Sequence, residues 1–237
     1  MTETEIAPAP APSPFLPGTK IQFAWDSTSL GYLKTCPRLY QYTMLDGWAS
    51  KDESVHLRFG IEYHASLQDY ETLRAEGISH ENSIHETVRR LIERIRDWKV
   101  DTTTRAGKYK NPHTIISLVV DYLDFYGNDD PAKTYILANG KPAVELSFRF
   151  ELEFGPEIAN RDQIEGPDSE IVDRDANRDD PCQPYVLCGH LDRVVEFNGA
   201  LLVMDHKTSM TTLSTHYFDG WSPHNQMTLY TLAGGVV

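Results

Sequence analysis

The sequence predicts a mixed α/β (α+β) chain whose N-terminal half is helical and whose C-terminal half builds a sheet. Three observations carry that expectation. Apolar residues return every three or four positions in several segments between residues 27 and 125, the period of helices with one buried face. From residue 143 they return at every second position, the period of half-buried strands. Between the last two strand-like runs stands Asn198-Gly199, the dipeptide that a type I′ hairpin turn favours because both central residues take positive φ.

The elements follow in chain order. "APAPAPSPFLPG", residues 7–18, alternates Ala and Pro, which fixes φ and removes backbone donors, so residues 1–20 are predicted to be a disordered, extended tail. Residues 21–237 then form a single domain. "DSTSLGYLKTCPRLYQYTML" offers Ser and Thr as helix caps, followed by Leu30, Leu33, Leu39, Tyr40 and Met44 at helical intervals, with Pro37 breaking or restarting the helix. Further helices are predicted over 59–75, 83–99 and 112–125. In "AVELSFRFELEF", residues 143–154, Val144, Leu146, Phe148 and Phe150 alternate with Glu145, Ser147, Arg149 and Glu151. Residues 155–184 hold nine Asp or Glu against three Arg with little apolar content, the composition of a solvated acidic loop insertion. "YVLCGHLDRVVEF" and "ALLVMDHKT" are the two arms of the hairpin, and "SPHNQMTLYTLAGG" reads as a closing helix with Pro near its first turn.

Composition bounds the function. The 237 residues are 40% hydrophobic, enough for a core, and contain no apolar run of about 18 residues and no basic-then-apolar leader, which predicts a soluble, cytoplasmic protein that does not enter a membrane. A formal net charge of -13 counts against coating nucleic acid by charge alone, while leaving room for a local basic groove. Cys36, Cys182 and Cys188 form no C-x-x-C pair, so neither a disulfide framework nor a zinc knuckle is supported.

The hairpin register brings chemistry together. With a two-residue loop, Phe197 faces Ala200 and Asp192 falls opposite Asp205, while Lys207 shares the face of Asp205. Directly opposed side chains have Cβ atoms about 4.5–5.5 Å apart, and two carboxylates so close repel unless a positive charge lies between them. A divalent cation with hard oxygen ligands, Mg2+ or Mn2+, meets that need. Lys207 beside it can orient water or meet the charge that develops when a phosphate is attacked. The other reading of the same residues is a surface ion pair between Asp205 and Lys207 at a strand end.

These segments resemble a family. Asp205-His206-Lys207 looks like the (D/E)-x-K element of the PD-(D/E)XK nucleases, and "GHLDRV" like the strand before it that supplies another acid. "SLGYLKTCPRLYQY", "FGIEYHASLQDY" and "NQMTLYTLA" resemble, in the same order, the N-terminal S-x-L-x-x-Y-x-x-C-P-x-x-Y segment, the G-x-x-x-H helix and the Q-x-x-x-Y helix of the RecB-like branch, which includes phage and CRISPR-associated nucleases. The resemblance spans residues 27 to 234 and implies a restriction-endonuclease-like core, a mixed central sheet flanked by helices. It implies His64, Asp192 and Asp205 as metal ligands, Asp192, Asp205 and Lys207 as the catalytic set, and Gln226 and Tyr230 as residues touching substrate. Glu145 is either a further acid or a solvated strand residue. Lys34, Arg38 and Arg58, whose segments flank that of His64, are expected to bind the DNA backbone.

The resemblance also implies a metal-dependent nuclease acting on DNA, as an exonuclease or processing enzyme of recombination, phage replication or defence. A catalytically silent nucleic-acid-binding or scaffold protein is the alternative. Relatives with an iron–sulfur cluster supply one thiolate from the C-P segment, here Cys36, and three from beyond the last helix; the three cysteines present do not support such a cluster. The family fold continues with a strand after the Gln-Tyr helix, so a sequence ending "LAGGVV" is expected to be a shortened form of a longer nuclease.

Overall fold

A computed structural model describes residues 13–153, 155, 184–221 and 224–235. Its elements run β1 (Ala24–Trp25), α1 (Ser27–Thr35), α2 (Pro37–Tyr40), a π-helical turn (Gln41–Leu45), α3 (Val55–Ala75), α4 (His80–Ile95), α5 (Arg105–Tyr109), α6 (Pro112–Tyr126), β2 (Lys133–Thr134), β3 (Val144–Glu151), β4 (Val186–Phe197), β5 (Ala200–Met204), α7 (Thr215–Asp219) and α8 (Asn225–Gly234). The five strands form one mixed sheet built on β4: β1 pairs with it in parallel, β2 and β5 antiparallel, and β3 also pairs with it. No helix among the described residues is long and apolar enough to cross a membrane.

The chain divides into two compact units, Met1–Gly47 with Arg149–Gly189, and Trp48–Phe148 with His190–Val237. In the first, helix α1 is capped by Asp26 and not by the expected Ser or Thr. The Asp26 carboxylate accepts from the Ser29 N–H at 2.7 Å and the Ser29 hydroxyl faces the Asp26 N–H, so two helix-end donors are satisfied reciprocally. Pro37 acts as anticipated: Cys36 is extended at φ -160° and the helix restarts at Pro37. Near the N-terminus Leu16 is buried and Phe15 bridges to Gln22. Of the predicted acidic insertion, 155–184, residues 156–183 with Cys182 lie outside the described residues.

In the second unit, α3, α4 and α6 pack around Phe59, Tyr63, Leu67, Tyr70, Leu91, Ile95, Ile115, Val119 and Leu123. These are the apolar positions of the three predicted helices, and burying each leucine or valine contributes about 1.5–3 kcal/mol. Strand β4 is fixed from beneath by Arg193, whose buried guanidinium reaches Glu71 at 3.2 Å, Asp130 at 3.2 Å, the Thr134 hydroxyl at 2.7 Å and the Ala132 carbonyl at 3.1 Å. With two acids and two neutral acceptors satisfied, this buried cation locks the strand next to Asp192.

The hairpin has the expected register. Phe197 pairs with Ala200 and the ladder proceeds to Arg193 with Met204, joined by Asn198 at φ 51° and Gly199 at φ 77°. Pairing stops there, one step before Asp192 and Asp205, so Asp205 begins the segment that leaves the strand.

Candidate active site

Four elements of the second unit converge at that step. Helix α3 carries His64, β3 carries Glu145, β4 carries Asp192, and the residues after β5 carry Asp205 and Lys207. His64 Nδ1 lies 3.2 Å from Asp192 Oδ2 and 3.9 Å from Glu145 Oε1, and one donor atom from each of the three residues lies within 4.8 Å of the others. One imidazole nitrogen and two carboxylate oxygens suit a divalent cation of the Mg2+ or Mn2+ kind, so the residues present fit such an ion.

Glu145 reaches this trio through an unusual backbone. Its φ of 49° is the left-handed region, which a non-glycine residue occupies at a cost of about 1–3 kcal/mol. Burial, with the Asp192 charge added, pushes its carboxyl above the usual range, while His64 and His190 pull the other way.

Asp205 lies beside Asp192 and makes further contacts of its own. Its side chain is only 8% exposed. It accepts from Lys207 Nζ at 2.7 Å and from Gln226 Nε2 at 3.3 Å. Burial raises its pKa; the Lys207 hydrogen bond pulls the other way, and Asp192 pushes with burial. Lys207 keeps a 35% exposed side chain, so the same ammonium that Asp205 anchors is open to an incoming molecule. Gln226 donates also to the Tyr230 hydroxyl at 2.7 Å, one turn along α8, and burial pushes the Tyr230 phenol up to about 12. The register thus joins Asp205, Lys207, Gln226 and Tyr230 into one chain of contacts.

Two supports were not anticipated. His206, between the acid and the lysine, lines the same small cavity as His64, Glu145 and Asp192; its Nε2 meets the Tyr122 hydroxyl at 2.9 Å and its backbone N–H donates to Asp192 Oδ2 at 3.0 Å. Burial, then the Arg193 charge, pushes its pKa down to about 4, so it is neutral near pH 7. Alternation along the strand was the available signal, because a polar ring turned toward the core requires a hydrogen-bond partner. Lys110, buried beneath the segment, donates to the Thr208 hydroxyl at 3.0 Å and lies over the Phe59 ring at 5.2 Å; no period or motif marked it.

The three basic residues expected at the substrate divide. Lys34 on α1 and Arg38 on α2 are exposed and belong to the first unit. Arg58 belongs to the second, where its guanidinium meets Glu62 at 2.9 Å, Glu53 at 3.4 Å and the Arg94 carbonyl at 3.1 Å, in a knot continued by Arg94 with Glu62 and Asp69.

Comparison with known proteins gives a single finding. The family model of the PD-(D/E)XK nuclease superfamily matches residues 27–235, most of the chain. No curated protein sequence and no solved structure gives a significant match.

Proposed function

From the premise that this chain belongs to the PD-(D/E)XK nuclease superfamily, a family of divalent-metal phosphodiesterases, we propose that it hydrolyses DNA from its ends, as an exonuclease or DNA-processing enzyme. The observation that supports the reading most is the adjacency of two groups: the His64, Glu145 and Asp192 donors, and the Asp205–Lys207 pair one strand step away. His64, Glu145 and Asp192 would hold the ion, with Asp205, beside Asp192, completing the set. The ion supplies Lewis-acid polarisation of the scissile phosphate.

The protein's own groups do the rest. Lys207, held by Asp205, presents its ammonium toward the phosphate and meets the charge that grows on the phosphoryl oxygens as water adds and the bond to the leaving oxygen breaks. Asp205 fixes the direction of that ammonium, so its loss leaves a lysine that is present but unaimed. Gln226 and Tyr230 border the substrate side of the pair. Lys34 and Arg38 remain the proposed backbone contacts.

The test uses labelled linear and circular DNAs of one sequence in Mg2+, Mn2+ and EDTA. Degradation of the linear form only, dependent on metal and lost in Lys207→Ala, supports the reading. Cleavage of circles makes the protein an endonuclease. DNA binding without cleavage in either metal supports the silent binding protein instead.

A further inference from the structure

The cavity among His64, Glu145 and Asp192 holds about 20 Å³, room for an ion or a water and not for a nucleotide. Beside Lys207 the situation differs. A cleft of about 610 Å³ opens there, with Asp205, Lys207 and Tyr230 in one wall and Tyr217, Phe218 and Trp221 among its other lining residues. Among the described residues, Lys207 is the only cationic side chain lining it. The space for substrate next to the catalytic pair is therefore apolar and aromatic, and it offers a single site for a phosphate.

Tyr217 and Trp221 are half-buried, Trp221 lies 4.8 Å from the His224 ring at 43°, and Phe218 is exposed. Tyr217 and Phe218 meet edge to face at 5.2 Å and 89°, and Tyr217 and Trp221 stand 6.1 Å apart at 50°, so these rings do not stack flat on one another. Phe218 is 57% exposed. A base in a duplex is covered on both faces by its neighbours and presents only edges, whereas an unpaired base offers a face to an aromatic ring. The volume lies within the range of about 300–1,000 Å³ of small-molecule sites, suited to one or two nucleotides.

We propose that Tyr217, Phe218 and Trp221 form a base-stacking platform that seats an unpaired nucleotide beside Lys207, so that the enzyme takes single-stranded or frayed ends. The proposal rests on the nuclease reading for what Lys207 does, but its test is binding and needs no turnover. The probes are an oligothymidylate, an abasic strand of the same length and a blunt duplex, titrated in EDTA against the full chain by fluorescence anisotropy. Thymidylate and abasic strands share their phosphates and differ in bases.

Wild type is expected to prefer oligothymidylate to the abasic strand by about 5- to 150-fold for each stacked base. Trp221→Ala should erase most of that preference and Trp221→Phe should keep it, which separates stacking from a folding defect. Equal binding of thymidylate and abasic strands, equal binding of the duplex, or an unchanged preference in Trp221→Ala with Phe218→Ala overturns the platform. A preserved preference with no metal-dependent cleavage overturns the nuclease reading and leaves the platform standing.

Discussion

At the residue scale the two aspartates of the hairpin make different contacts. Asp192 lies with His64 and Glu145, while Asp205, close enough to Asp192 to feel its charge, also holds Lys207 and Gln226. Asp192→Ala is therefore expected to weaken Mn2+ binding by about tenfold or more, and Lys207→Ala to leave it nearly unchanged while abolishing turnover. Asp205→Asn should fall between, losing turnover more than affinity. Calorimetric Mn2+ titration beside a nuclease assay decides it, and equal affinity in wild type and Asp192→Ala would mean the trio is not the ion site. The acids and the lysine were legible because motif and register agreed on them. Lys110 was not, because a lone lysine in a polar stretch looks solvated until the fold closes over it.

Elements were legible in proportion to their length. Helices α3, α4 and α6 span 21, 16 and 15 residues, several turns each, so their buried stripes repeat often enough to be read. Strands β1 and β2, two residues each, and helices α5 and α7, five each, are too short to show a period. Strand β3 shows both outcomes: from Ser147 to Glu151 exposure alternates as the sequence predicts, while across Val144, Glu145 and Leu146 it does not, because the positive φ of Glu145 breaks the pleat. Helix α8 lies so close to β5 that a Cβ on Gly234 would come within 2.7 Å of Val203 Cγ2. Gly234→Ala should thus lower stability by about 1–3 kcal/mol and disturb Gln226 and Tyr230 on the same helix. Adding Val203→Ala should recover most of the loss in denaturant unfolding; no recovery would place the strain elsewhere.

For the whole molecule, the excess of acid makes each exposed cation count. Lys34→Ala and Arg38→Ala are each expected to reduce the slope of log affinity on log salt by about 1 for DNA binding, as for the loss of one phosphate contact. Arg58→Ala should instead lower the melting temperature with little change in slope, because its charge is already met by Glu62 and Glu53. Filter binding between about 50 and 200 mM salt, with thermal unfolding of the same variants, separates the two effects. An unaltered slope in Lys34→Ala and Arg38→Ala would move the DNA path off the first unit's helices.

The left-handed backbone at Glu145 sets stability against activity along a single position. Glycine there relieves the steric conflict of a side chain at φ 49° and removes an acid from the site in the same step. A library of residue 145 variants sorted for thermal resistance alone should enrich glycine and asparagine, and every such winner should be a poor enzyme. Sorted for DNA degradation, the same library should return glutamate, and the distance between the two winners in melting temperature measures how much folding energy this protein gives up to keep that carboxylate aimed.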